Sequence, residues 1–361
     1  MKRFLLACLL ATAAALPDPA HAQTKLRIQS AFPPKGTFAD NLTFFAERVK
    51  VMSGGRLEVV ALATGSVVPA FDVLDATHKK VLDGAHSSSA YWVGKNRAAA
   101  LFGVTPGGPF GMDGFDYMGW LYDGGGLELY REFFQVVLKQ NVVPIPMTSA
   151  GPQAMGWFKR PVKSWADLKG LKCRQTGISA EVFSKSGMAT VNIPGTEILP
   201  AGERGVIDCA EWVGPSDDML IGFHTVWKHF YTQSLHDLSL LEILINGDVW
   251  NSLGPDLQAI VQAAAIEATL RSQNRRNRLD AAAMVELTTK HGVTIHRTPD
   301  DILRKMLEAW DGIAKEESAK NPFFRKVYES QRAYASQVVP SRRATAPPYN
   351  FTADYYWPGK K

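Results

Sequence analysis

Residues 25–60 read KLRIQSA FPPKG TFADNLTFFAERVKVM SGG RLEVV, and this stretch decides the fold. Residues 25–31 alternate apolar with polar and predict a strand. Phe38, Leu42, Phe45, Val49 and Met52 follow at spacings of 4, 3, 4 and 3, which puts all five on one helix face. Gly54-Gly55 supplies a left-handed stop, and residues 56–60 predict a second strand. Strand, helix and strand within about 35 residues form a βαβ unit, the building block of a parallel sheet.

The alternation continues outward from there. Residues 71–81 and 127–140 predict helices, and 142–145 a strand. A second block opens near Met147. Ser164 starts a capped turn, and residues 171–174 and 206–211 predict strands, with helices over 179–186 and 198–203 between them. Residues 81–85 (VLDGA) partly echo 206–210 (VIDCA), as two lobes of similar build would. Residues 254–292 predict one helix of roughly 50 Å, longer than a lobe is wide. Its basic run 271–278 (RSQNRRNR) is expected to be a solvated face. A further helix covers 300–318, and the tail from Val339 is expected to be irregular or docked on a partner.

The chain has 361 residues, 46% apolar and 21% charged, so it can bury cores for about two lobes. Its charge of +5 is spread evenly, with no basic stripe among aromatics, which excludes a nucleic-acid partner. Residues 1–22 have the order of an export signal: Lys2-Arg3, an apolar run over 4–16, and Ala20-His21-Ala22 as cleavage site. The expected location is therefore the periplasm. Beyond that segment two of the three cysteines remain, Cys173 and Cys209, either paired in an oxidising compartment or lying as two buried thiols.

Catalytic signatures are missing. Residues 177–181 (GISAE) lack the last glycine of a nucleophile elbow, and Gly124-Gly125-Gly126 has no phosphate-loop lysine behind it. No HExxH occurs, His224 and His229 fall on different helix faces, and Asp217-Asp218 after Pro215 reads as a helix cap. What remains is a group of ligand-shaped residues. Gln153 precedes Gly156-Trp157-Phe158; Arg174 and Glu211-Trp212 each end an apolar strand. Ligands of open α/β sheets bind beyond the carboxyl ends of strands. There Arg174 and Glu211 either anchor a carboxylate or form an ion pair that fills the cleft.

Several segments, in order, resemble the solute-binding receptors of TRAP (tripartite ATP-independent periplasmic) transporters. They are KLRIQSAF, VMSGGRLEV, SVVPAFDVLDAT, YWVGK, WLYDGGGLELYRE, GWFKRPVKSWADLKGLKCRQTG, Glu197-Ile198-Leu199-Pro200 and ERGVIDCAEWVGPSDD. Within that family the chain is most similar to receptors for 2-oxo and 2-hydroxy monocarboxylates. The resemblance implies an α/β, two-lobed periplasmic binding protein with a hinge and a long helix bracing both lobes. It divides the chain into an export signal (1–22), lobe 1 (23–147), lobe 2 (148–234) and a return to lobe 1 with the long and C-terminal helices (235–361).

Carried over by residue, the resemblance implies that Arg174 takes the carboxylate in a two-point fork. Gln153, Glu211 and the Trp212 carbonyl form the shell of a cation, Na⁺ or Ca²⁺, which hard oxygen ligands suit. Tyr91 and Trp92 close over the ligand from the first lobe, and Glu242 lies near the opposite wall. The implied partners are TRAP membrane permease subunits and, through the C-terminal helices, a second copy in a homodimer. No enzyme activity is implied. The alternatives are a periplasmic sensor of the same fold feeding a signalling protein and, further off, a hydrolase. Met155-Gly156 and Gln175-Thr176-Gly177 depart from the family pattern at the pocket wall and leave the size of the acid's side chain open.

Overall fold

A computed structural model describes residues 23–103, 108–147, 152–234 and 240–358. The export segment 1–22 lies outside the described residues. Among the described residues eleven strands appear in chain order. In the first part are β1 (Thr24–Ser30), β2 (Leu57–Leu62), β3 (Gly84–Ser88), β4 (Val142–Pro146), β5 (Gly156–Phe158) and β6 (Lys172–Arg174). They are followed by β7 (Ala189–Val191), β8 (Cys209–Ala210), β9 (His229–Tyr231), β10 (Leu241–Asn246) and β11 (Thr294–His296).

The βαβ unit forms as read. Helix Thr37–Met52 buries Phe38, Leu42, Phe45 and Val49 and stops at Gly54 and Gly55, whose φ angles are 60° and 80°. Strands β1 and β2 pair in parallel, and β3 adds on the other side of β1. The first sheet has the order β2-β1-β3-β10-β4, with β10 antiparallel to both of its neighbours. All six residues of β10 are buried, as an apolar central strand covered on both faces must be. The second sheet has the order β11-β9-β5-β8-β6-β7. Strand β11 follows the long helix and still returns to the second sheet, so residues after 235 serve both lobes.

The long helix is Pro255–Thr289. Val261, Ala264, Ala265 and Ala268 pack into the core of the first sheet, and Leu287 packs into the core of the second. Its alanines let helix Thr37–Met52 approach closely, and Asn41 donates to the Ala268 carbonyl (3.1 Å) and Ser272 Oγ (2.8 Å). One rigid element is therefore shared by the two lobes.

Several expectations change. The helix expected over 71–81 is a 3-10 turn, Ala70–Asp72, plus Val73–His78; the chain turns at Lys80, φ 58°. The helix expected over 127–140 is Gly126–Glu132 running into a wider turn, Phe133–Val137. The strand 206–211 shrinks to β8, because Val206 lies outside the sheet and is exposed. The tail is not irregular: Pro322–Thr345 and Tyr349–Tyr356 are helices. The first runs through Pro340, which lies on the exposed side of the helix while Ala335 and Val339 hold the other side on the core. Cys173 and Cys209 face each other across β6 and β8 and form a disulfide, Cα–Cα 4.6 Å, rather than two thiols. Closing a loop of that length contributes about 4 kcal/mol in the chain-entropy picture.

Candidate functional site

Strands β6 and β8 are parallel neighbours, with Arg174 opposite Ala210. Arg174 is the last residue of β6 and Glu211 the first beyond β8, so their side chains leave the same sheet edge together. Arg174 is 1% exposed. Its Nη1 donates to Glu211 Oε2 (2.9 Å) and to the Glu211 carbonyl. Its guanidinium carbon lies 5.2 Å from the Trp212 ring centroid, within cation–π range. The ion-pair alternative is thus the arrangement seen.

A cavity of about 30 Å³ borders this pair. From the second lobe it is lined by Gln153, Arg174, Thr176, Glu211 and Trp212. From the first lobe come Phe32, Phe38, Ser88, Ala90, Tyr91 and Leu241. Aromatic rings bridge the two sides: Phe38 lies 5.7 Å and Phe32 6.5 Å from Trp212, and Tyr91 lies 5.8 Å from Phe32. Phe32 and Phe38 escaped the sequence reading; their position just beyond the end of β1, in FPPKGTF, was the available signal.

Five of the seven residues singled out in the sequence, Gln153, Arg174, Glu211, Trp212 and Tyr91, come together here. Trp92 and Glu242 do not line the cavity; they bond to each other behind it, Nε1 to Oε1 at 2.8 Å. Strand alternation explains this. Leu241 faces the cleft, so Glu242 points the other way. Its carboxylate accepts from Ser87 Oγ (2.8 Å), Ser89 Oγ (2.5 Å), Trp92 Nε1 and Tyr130 Oη.

Burial raises the Glu211 carboxyl to about 7, although Arg174 and then Arg276 pull it down. Burial also raises the Tyr91 hydroxyl to about 12, with Arg174 lowering it and Glu211 raising it. Below the pair, Asp218 accepts from Trp157 Nε1 (2.8 Å) and the Val213 and Gly214 amides; burial lifts it to about 8. Asp217 reaches across to the first lobe and accepts from Thr37 N and Oγ1, both at 2.6 Å. The run 271–278 is not a uniformly solvated face: Arg275 is open to water, but Arg276 is 1% exposed and turned into the second lobe. Among the described residues no group of three or more His, Cys, Asp and Glu could hold a metal. An ion at this site would draw on Glu211 together with amide and carbonyl oxygens.

The sequence profile of the DctP family, bacterial extracellular solute-binding protein family 7, matches residues 29–321. The chain belongs to this family of TRAP solute-binding receptors. It is 34% identical over 320 residues to a monocarboxylate 2-oxoacid-binding periplasmic protein of a Nostoc species, covering 88% of this chain and 86% of that one. Solved TRAP solute-binding proteins have the same two-lobed fold. One, from Bordetella bronchiseptica, superposes with a TM-score of 0.86 at 28% identity, covering 93% of this chain and 97% of the other. It is a mixed-occupancy dimer with copurified calcium and picolinate in the active site. Another, from Pseudoalteromonas atlantica, has a TM-score of 0.85 at 29% identity, covering 91% and 99%, and holds sodium and pyruvate. This DctP chain therefore shares its architecture with receptors that bind a small acid beside a hard cation.

Proposed function

We propose that this DctP-family receptor captures a small 2-oxo or 2-hydroxy monocarboxylate together with Na⁺ or Ca²⁺ in the inter-lobe cavity and hands it to a TRAP permease. The observation that carries the reading is the buried Arg174–Glu211 pair at the carboxyl edge of the second sheet, roofed by Tyr91, Phe32 and Phe38. The relatives' acids and cations support the same chemistry.

Charge explains why acid and cation enter together. Arg174 and Glu211 cancel; an added carboxylate leaves −1 in a dry cleft, which costs several kcal/mol unless a cation offsets it. Space makes the same demand. The room beside the closed pair is small, about 30 Å³, and opening the pair enlarges it. Ligand entry therefore exchanges partners: the acid takes the Arg174 fork, and Glu211 turns to the cation with Gln153 and the Trp212 carbonyl. Both lobes contact the ligand only when closed, so binding shifts the population toward closure. Members of the family are binding receptors, and in this reading the ligand is carried without chemistry.

Residues 1–22 would direct the chain to the periplasm. The helix Tyr349–Tyr356, with Tyr349, Phe351, Tyr355 and Tyr356 exposed, would be covered by a second copy in a homodimer. The deciding experiment is calorimetric titration of unfolded and refolded protein with pyruvate, lactate and their C4 to C6 homologues, each with Na⁺, Ca²⁺ or chelator. Cation-dependent binding of one small acid is expected. Binding of none of them, or binding equally tight in chelator, would overturn the reading.

A further inference from the structure

Arg276 is a buried cation on the long helix that no ligand contact accounts for. Its Nη2 donates to two main-chain carbonyls, Pro152 O at 2.8 Å and Val213 O at 3.0 Å. Its Nε donates to Asp280 Oδ2 at 3.1 Å, one turn along the same helix. The other oxygen of Asp280 accepts from Ser216 N (3.0 Å) and Ser216 Oγ (2.5 Å). The pair thus grips the second lobe at 152, 213 and 216.

Two of those grips flank the ligand residues. Pro152 immediately precedes Gln153, and Val213 immediately follows Glu211-Trp212. The two segments lie about sixty residues apart in sequence (213 − 152 = 61) and meet at one guanidinium nitrogen. The fit is tight: a Cβ on Gly214 would stand 2.5 Å from Arg276 Nη2, so a side chain there would push the guanidinium off its carbonyls. A planar fork can hold two carbonyls and a carboxylate at once; a lysine ammonium on its flexible stem cannot keep that geometry.

We propose that Arg276, oriented by Asp280, is a positioning residue for the cation shell: it sets the spacing between the Gln153 and Glu211-Trp212 segments from the helix that spans both lobes. This rests on the cation-assisted binding proposed above. Removing such outer partners costs about 10–100-fold in ion affinity where measured.

The test compares Arg276→Lys and Arg276→Gln with Arg275→Gln, which alters only the exposed neighbour. Pyruvate is titrated across a range of Ca²⁺ and of Na⁺ concentrations, and amide hydrogen exchange is read in ligand-free protein. Both Arg276 variants should raise the half-saturating cation concentration by about 10–100-fold, while pyruvate affinity at saturating cation changes much less. Exchange should speed up at 153–155 and 211–214 without change in the first sheet, and Arg275→Gln should match wild type. Unchanged cation requirement in Arg276→Lys, or unchanged exchange in both segments, overturns the proposal. If Arg276→Gln does not fold, Arg276→Lys decides alone. Wild type that binds no acid would sink the proposed function instead, and the positioning role for the cation shell with it; faster exchange would then show only a structural clamp.

Discussion

The two walls of the cleft each bury a glutamate, and the two are built for opposite ends. Glu242, behind the first-lobe wall, receives four neutral donors from Ser87, Ser89, Trp92 and Tyr130. Glu211, in the second-lobe wall, is bonded among the described side chains by the Arg174 guanidinium. Burial raises both carboxyls. A carboxylate saturated by fixed donors of its own lobe has nothing left for a visitor; its work is to hold the turn that carries Tyr91. A carboxylate held by a single charged side chain can exchange that partner for another. Buried charge marks a ligand site only when its partner can be traded.

Arg174→Met tests that trade hardest. Losing the fork should weaken binding of the cognate acid by about a thousandfold, the roughly 4 kcal/mol typical of truncating one partner of a buried charge pair. The ligand-free variant should also report on Glu211. Without Arg174 its pKa rises above the present value of about 7. A raised carboxyl is stabilising below the unfolded value near 4.5 and loses that contribution as pH climbs through the folded value. Thermal unfolding of the variant should therefore recover toward wild type at pH 5 and fall behind it at pH 8. A variant that still binds tightly would end the site assignment.

Paired substitutions of the two glutamates come next. Glu211→Gln should remove the cation requirement and, by leaving the Arg174 charge buried without its partner, cost about 3–5 kcal/mol of ligand-free stability. Glu242→Gln should leave the cation requirement intact. Its amide NH₂ must face a donor it cannot accept from, at a cost of about 1–3 kcal/mol in stability. Chemical denaturation and calorimetry on both variants separate the two roles. A Glu242→Gln protein with no cation dependence would erase the distinction between the walls.

Much of this distinction was legible in the residue pattern, and its gaps have physical causes. The βαβ unit, the long helix and the strand-end placement of Arg174 and Glu211 follow from local periodicity. Assigning Glu242 to the cavity ignored strand parity: with Leu241 facing the cleft, its neighbour must face away. Composition alone makes the run 271–278 a solvated face and Arg276 part of it. Read as helix phase, Ala264, Ala268, Ser272 and Arg276 continue one stripe at spacings of four, and the arginine belongs on the buried face. The Cys173–Cys209 bond needs the register of β6 against β8, and the Phe38–Trp212 contact needs the closed lobes. Neither is a local property, so neither could be read from spacing.

Proton and cation should compete for Glu211. Burial raises the Glu211 carboxyl to about 7, so a proton and a cation exclude each other there as the pH falls. Apparent cation affinity should fall by up to about tenfold per pH unit between 7 and 5. Arg174, Arg276, Tyr91 and Asp218 face the group, and Asp218, lifted by burial to about 8, titrates beside it, so Asp218→Asn is the control that isolates the Glu211 proton. The sign for stability is opposite. Glu211 contributes more to ligand-free stability as pH drops from 7 toward 4.5, so melting curves with and without Ca²⁺ should converge on acidification. Parallel curves would place the cation elsewhere.

The smallest effect should come from the seam between the walls. Helix Thr37–Met52 begins after Gly36, which has no side chain to cap it. The Asp217 carboxylate supplies the cap from the other lobe, accepting both Thr37 N and Oγ1. A carboxylate at a helix N-terminus gains from the dipole and from two otherwise orphaned donors. The bond ties one lobe to the other, so it is expected to belong to the closed state and not to the ligand. Asp217→Asn keeps the shape and one acceptor oxygen but removes the charge, at about 1 kcal/mol in the closed form. Affinity should fall about fivefold, carried by faster dissociation, since the contact forms after the ligand is already inside. Stopped-flow measurement of both rate constants checks this. A slower association rate with unchanged dissociation would mean that Asp217 guides closure before capture, and the seam would then belong to the first-lobe wall's work of covering the ligand, not of keeping it.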